Sequence, residues 1–326
     1  MTINLSILGL GQVGASFGLA LKEHKDKIYR TGSDREPITA QRAQKMGAVD
    51  HIAYNLSAAV EKADVVILAL PVDQIRETLE FIGPVCRPGA VIIDTSPLKS
   101  AVATWAQELL PEERYLISMT PTINPDYLEE AATGIDAVHA DLFNKSLMVI
   151  TNEPSTHPDA VKLAADIAHL AGARIYFADA GEVEGLLAAN DLLPKLASVG
   201  LLSAIANQPS WKEGQRLAGR SFAQATFPAE LLDGPAALGE ITLANRENSL
   251  RVLNDLIGSL QLIREYVSNQ DSEGLNDMLQ RALEARKDWY SHRLAADWDE
   301  SEEKKMPTIG EVLGRLVGIK PRDRQS

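Results

Sequence analysis

Six residues near the start of the chain constrain its fold more than any others: Gly9-Leu10-Gly11-Gln12-Val13-Gly14. A GxGxxG string alone is common, because glycines gather in many turns. Here it directly follows the apolar run Leu5-Ser6-Ile7-Leu8 and opens a stretch with helical spacing of apolar residues. In that context each glycine has a geometric task. The first permits a tight turn, the second lets a pyrophosphate approach the backbone, and the third lets helix and strand pack closely. The helix N-terminus then offers unpaired N–H groups and partial positive charge to phosphate. The pattern predicts a dinucleotide-binding turn with Gly9, Leu10, Gly11, Gln12, Val13 and Gly14 as its contacts. Asp34 ends the second predicted strand, 25 residues past Gly9, where a carboxylate holds the adenosine ribose hydroxyls. That carboxylate repels a 2′-phosphate, so NAD is expected over NADP. Arg35 beside it can stack on adenine or meet a phosphate.

The rest of the first half repeats the same alternation. Apolar runs at 5–8, 28–31, 65–70, 91–93 and 115–118 read as buried strands, and 13–24, 38–46, 72–82 and 99–110 carry helical spacing between them. Two further strands, 145–150 and 174–177, flank a helix at 158–170. Strand–helix alternation implies a parallel sheet covered on both faces, a Rossmann-type doubly wound α/β fold. After residue 180 the strand signals stop. Residues 182–206 are helical in pattern with a bend expected at Pro194, which lacks an N–H. Leu250, Leu253, Ile257 and Leu260 form an apolar stripe, and a last helix is expected near 275–294. The predicted organisation is therefore a dinucleotide-binding domain over 1–180 and an all-helical substrate and dimerisation domain over 181–326. Its tail is charged from Asp297, with a weakly amphipathic stretch at 307–318.

Composition excludes several classes. The formal net charge of −13 opposes binding to nucleic acid, whose phosphates need a basic surface. Aromatic residues are 5% of the chain, too few for a base-stacking platform. Cys86 is the single cysteine, so an internal disulfide and a cysteine metal site are both excluded. The first residues have neither the basic flank of a signal peptide nor the length of a span, and no uninterrupted apolar run reaches about 18 residues. A cytoplasmic protein with no membrane partner is expected. A small anionic substrate stays allowed, because a pocket's local charge can oppose the global sign.

Several further segments fall in the order and spacing of a known family. Ala69-Leu70-Pro71-Val72 looks like a strand-end A-x-P-V lying over the cofactor, adding Leu70 and Pro71 to the contacts. Asp94-Thr95-Ser96-Pro97-Leu98-Lys99 is similar to D-x-x-S-x-K, and Gly172-Ala173 to a G-A before the next strand. Leu142-Phe143 with Met148-Val149-Ile150-Thr151, and Glu240-Ile241 with Asn245, complete the series. Over nearly its whole length the chain resembles the prephenate and arogenate dehydrogenases. The resemblance implies an NAD-dependent oxidoreductase of tyrosine-biosynthesis type, working as a homodimer.

The chain departs from the family where the chemistry should lie. Thr120, in Ser118-Met119-Thr120-Pro121, replaces the histidine of an H-P-M segment that acts on the ring hydroxyl. A threonine hydroxyl cannot act as a base near pH 7. The serine of D-x-x-S-x-K falls on Pro97, and a carboxylate-binding arginine falls on Phe227. The S-H-L-P-H segment becomes Asp191-Leu192-Leu193-Pro194-Lys195. Asp191 and Lys195 share a helix face, either as a surface ion pair or as a substrate anchor. Lys99 is retained, either near the substrate or to orient its loop, so Thr120, Lys195, Asp191 and Lys99 are the candidate reaction-site residues. Three functions stay open: a prephenate or arogenate dehydrogenase with a rebuilt site, a dehydrogenase of the same fold acting on another small anionic hydroxy acid, and a non-catalytic NAD-binding regulator.

Overall fold

The computed structural model describes residues 2–230 and 233–296. The expected tail features from Asp297 onward lie outside the described residues. The chain divides into two compact units, 2–181 and 182–295.

The first unit is one eight-stranded sheet in the order β3-β2-β1-β4-β5-β6-β7-β8. Its strands are β1 (Ile3–Leu8), β2 (Ile28–Ser33), β3 (His51–Ile52), β4 (Val65–Leu68), β5 (Val91–Asp94), β6 (Tyr115–Pro121), β7 (Leu147–Thr151) and β8 (Arg174–Phe177). Helices α1 (Gln12–Ala20), α2 (Pro37–Met46), α3 (Leu56–Val60), α4 (Val72–Ile82), α5 (Ser100–Leu109) and α6 (Pro158–Leu170) supply the crossovers. The central strands β4 and β5 are buried at every position, because helices cover both faces and leave no side for polar residues. The order reverses between β1 and β4, the point at which open α/β sheets bind ligands beyond the carboxyl ends of their strands.

Two details depart from the expected pattern. The sheet is not wholly parallel: β7 runs antiparallel to β6, pairing Thr120 with Val149, and β8 then runs parallel to β7. The 122–146 segment between β6 and β7 contains no covering α-helix to carry the chain back for a parallel pairing, only two short 3₁₀ turns. The first helix ends at Ala20, and residues 22–24 form a separate 3₁₀ turn. The 122–146 segment itself packs on α1, where Phe143 meets Phe17 with ring centroids 4.4 Å apart and the His139 amide donates to Ser16 Oγ.

The second unit is helical: α7 (Ala180–Leu187), α8 (Leu193–Ala206), α9 (Trp211–Gly214), α10 (Arg220–Thr226), α11 (Pro235–Ala244), α12 (Arg246–Ser268) and α13 (Ser272–Ala295). Between α7 and α8 the helix does not simply bend. It widens into a π turn over Ala188–Leu192. Pro194 explains this, since its ring would collide with the Asn190 carbonyl in α geometry and cannot donate to it. The run Ala180–Ala206 is long and apolar enough, by length and composition, to cross a membrane, with 17% of its most apolar window buried. A scan for uninterrupted apolar runs passes over it because Asp191 and Lys195 break the pattern. Leu250, Ile257 and Leu260 on α12, and Leu279, Leu283 and Trp289 on α13, are also exposed in the single chain. The 250–260 stripe is therefore not core of one copy.

Candidate functional site

At the end of β1 the chain turns at Gly9 with φ +89°, a left-handed conformation that a side chain would strain. A Cβ on Gly9 would sit 2.1 Å from the Ala69 carbonyl oxygen, and one on Gly14 would sit 1.9 Å from the Gly9 carbonyl oxygen. A Cβ on Gly11 would meet nothing within 4 Å. The first and third glycines are thus required by the protein itself, whereas the second leaves open space beside the backbone. Gly11 is also the N-cap of α1, and no side chain among the described residues caps that helix. These N–H groups are the ones an anion can take. Gln12 and Val13 form the first turn.

Asp34 closes the turn from the side. Its Oδ2 accepts the Leu10 amide at 2.7 Å and its Oδ1 accepts the Glu36 amide at 2.8 Å. Beside it opens a cavity of about 610 Å³. It is lined by Leu8, Gly9, Ser33, Asp34 and Arg35 and by Tyr54, Leu56 and Leu70. Gln74, Glu77, Thr78 and Phe81 line the remaining wall. These last four follow i, i+3, i+4, i+7 spacing and so occupy one face of α4. Pro71 precedes α4 as its N-cap.

At the carboxyl ends of β5 and β6 lies a network that sequence reasoning missed. The Asp94 side chain is fully buried; it accepts the Ser96 amide at 3.0 Å and the Ser96 hydroxyl at 2.9 Å, with the Ser118 hydroxyl at 3.4 Å. Lys99 Nζ lies 3.9 Å from Asp94 Oδ2, its side chain equally buried, and it also donates to the Ser96 carbonyl. Burial pushes the Asp94 carboxyl above its ordinary value, while the Lys99 charge and the Ser96 and Ser118 donors pull it back. Lys99 therefore braces the 94–99 loop from inside. The hydroxyl absent at Pro97 stands one residue earlier, on Ser96, but it faces inward to Asp94. Thr120 is buried, and its Oγ1 has no hydrogen-bond partner among the described residues.

In the helical unit, Asp191 lies within the π turn and Lys195 one turn later. Lys195 Nζ donates to both Asp191 carboxylate oxygens at 2.8 Å, with Lys195 21% and Asp191 42% exposed. Phe227 begins a short 3₁₀ turn after α10. Other histidines and the cysteine have local roles. His139 Nε2 is 2.9 Å from Glu130, with its ring stacked 3.7 Å from Tyr127. His157 caps α6 through its Nδ1. Burial pushes the Cys86 thiol up to about 11, which leaves it inert.

Comparison with known proteins gives a consistent answer. Residues 17–177 match the nucleotide-binding domain of prephenate dehydrogenase, and residues 184–281 match its dimerization domain. The chain is 25% identical over 285 residues to a cyclohexadienyl dehydrogenase of Zymomonas mobilis, covering 87% of this chain and 94% of that one. It is 25% identical over 282 residues to a prephenate dehydrogenase of Bacillus subtilis, covering 84% and 73%. Among solved structures, an arogenate dehydrogenase of Synechocystis superposes with a TM-score of 0.66 at 26% identity, covering 88% of this chain and 100% of that one. A prephenate dehydrogenase of A. aeolicus, in complex with hydroxyphenyl propionate and NAD+, has the same fold, with a TM-score of 0.75 at 19% identity and coverage of 88% and 98%.

Proposed function

The chain belongs to the prephenate dehydrogenase family, and on that premise we propose that it is an NAD-dependent dehydrogenase of a small anionic substrate of prephenate or arogenate type. One observation carries the cofactor half: open space at Gly11 in front of the uncapped first turn of α1, with Asp34 beside it. Gly9, Leu10, Gly11, Gln12, Val13 and Gly14 hold the pyrophosphate, Asp34 and Arg35 the adenosine, and Leu70 and Pro71 the strand end beyond. NAD supplies a hydride acceptor when bound. Asp34 lowers affinity for a 2′-phosphate and so favours NAD over NADP.

For the substrate, Lys195 serves as an anion anchor. Both Asp191 oxygens hold its Nζ in place. Lys99 acts indirectly, by fixing the 94–99 loop through Asp94. Thr120 offers its unpartnered hydroxyl as a hydrogen-bond partner to the reacting oxygen. The proton released there passes to water, since neither Thr120 nor Pro97 can hold it near neutral pH. The working unit is a homodimer in which the exposed apolar side chains of α12 and α13 are covered by a second copy.

A second reading, the same chemistry on a different small anionic hydroxy acid, is favoured by the loss of a base at Thr120. NADH formation with prephenate, arogenate and a panel of 2- and 3-hydroxy acids separates the two. On the substrate found, Lys195→Ala is expected to raise KM about tenfold or more with little change in kcat, as loss of a charge-assisted contact does. Unchanged constants would refute the anchor. Tight NAD binding without turnover on any substrate would leave a non-catalytic regulator.

A further inference from the structure

We propose that Glu77 reads the base of the bound dinucleotide, selecting adenine over a base with a carbonyl at the same edge; this rests on the NAD reading above. The cavity beside Asp34 has the margins of a flat-ring site. Tyr54 and Phe81 line it while 69% and 49% exposed, two large aromatic side chains that the core does not use. Such rings stack a heterocycle without regard to which base it is. Discrimination must therefore come from hydrogen bonds at the base edge.

The polar groups lining the cavity differ in what they can tell apart. Gln74 presents an amide and Thr78 a hydroxyl, and each can donate or accept, so each suits an amine or a carbonyl equally. Arg35 only donates. Asp34 only accepts, but it already takes the Leu10 and Glu36 amides and, on the reading above, the ribose hydroxyls, which leaves the base edge to others. Among the lining side chains, Glu77 alone is an acceptor-only group that no hydrogen bond or ion pair among the described residues engages. It lies on the same α4 face as Gln74, Thr78 and Phe81, and it lines the same cavity as both aromatic side chains. An exocyclic amine satisfies that carboxylate. A carbonyl in the same place is repelled by it.

The test is equilibrium binding of NAD and of nicotinamide hypoxanthine dinucleotide to the full-length protein and to Glu77→Ala and Glu77→Gln. The hypoxanthine analogue replaces the amine with a carbonyl and places a proton on N1; a carboxylate that took this N–H instead would erase the preference for NAD and overturn the proposal. The wild type is expected to favour NAD by about five- to tenfold, as one hydrogen bond to a partly exposed charge can. Glu77→Ala should bring the two within about twofold, by weakening NAD and relieving the repulsion on the analogue. Glu77→Gln, whose amide can turn either way, should lose the preference as well. Either variant keeping the full preference, or weakening both dinucleotides equally, overturns the proposal. A wild type that binds NAD without base preference overturns it while leaving the NAD reading intact. A wild type that binds neither dinucleotide overturns both.

Discussion

Lys99→Met tests whether the 94–99 loop is held from inside by charge. In the protein Nζ lies 3.9 Å from Asp94 Oδ2, with both side chains fully buried. At an effective dielectric constant of about 20, that separation corresponds to about 4 kcal/mol of attraction. Removing one partner from a buried pair costs about 3–5 kcal/mol, because the survivor is left as an uncompensated charge. The Ser96 amide and hydroxyl still solvate Asp94 and offset part of this. A loss of about 3 kcal/mol in urea unfolding at about pH 8 is expected. The pH dependence carries a definite sign. Burial already raises the Asp94 pKa while Lys99 lowers it, so removing Lys99 raises it further. A carboxyl raised in the folded state contributes stability below its unfolded value of about 4, and that contribution fades as pH climbs through the folded value. The deficit of Lys99→Met should therefore shrink as pH falls, and the double variant Asp94→Asn, Lys99→Met should be more stable than Lys99→Met alone. A deficit under about 1 kcal/mol at pH 8, or one that is equal at acidic pH, would refute the buried-pair account.

Other outcomes follow from the same geometry. Gly9→Ala, which drives a Cβ toward the Ala69 carbonyl oxygen at positive φ, should cost about 2 kcal/mol or more in thermal unfolding. Gly11→Ala should cost at most about 1 kcal/mol, the N-cap preference for Gly, because nothing lies within 4 Å of its Cβ, yet lose dinucleotide affinity by about tenfold in calorimetry. Asp34→Ala should narrow the NAD-over-NADP preference and weaken NAD itself by about tenfold, since the Leu10 amide loses its acceptor. Cys86, buried with its thiol pushed up to about 11, should react with a disulfide reagent only once denaturant unfolds the chain.

The glycine turn, Asp34 and the strands around them could be read from sequence because each signal is local. Glycines, an apolar run and a helix start lie within a few residues of one another. Strand β3 gave no such signal, since two residues cannot show a period, although its pairing with Thr31 and Gly32 places Tyr54 at the cavity margin. The antiparallel turn into β7 was hidden for a different reason. Direction depends on how the 122–146 segment folds back on α1, through contacts such as Phe17 with Phe143 that join residues far apart in sequence. The Asp94 network was hidden likewise: Lys99 could be seen as a retained residue, but its ion pair depends on burial, which the motif does not display. The apolar stripe of α12 was plain, yet only the fold distinguishes an exposed stripe from a core one.

The π turn at Ala188–Leu192 sets the angular phase of everything after it. One surplus residue in a turn rotates the following helix by about 100° relative to an unbroken α-helix. The faces of α7 and α8 are thus offset, and an apolar stripe drawn along 180–206 with a single period puts the residues beyond Pro194 on the wrong side. A one-residue deletion among 188–190 would be more than a small loss of length. It would force Pro194 back against a carbonyl, or rephase α8 so that Ser198, whose hydroxyl donates to the Thr226 carbonyl at 3.0 Å, turns away from its partner. Length in this segment is therefore fixed as firmly as identity, and relatives that differ by one residue here cannot be threaded onto this chain with their helix faces preserved.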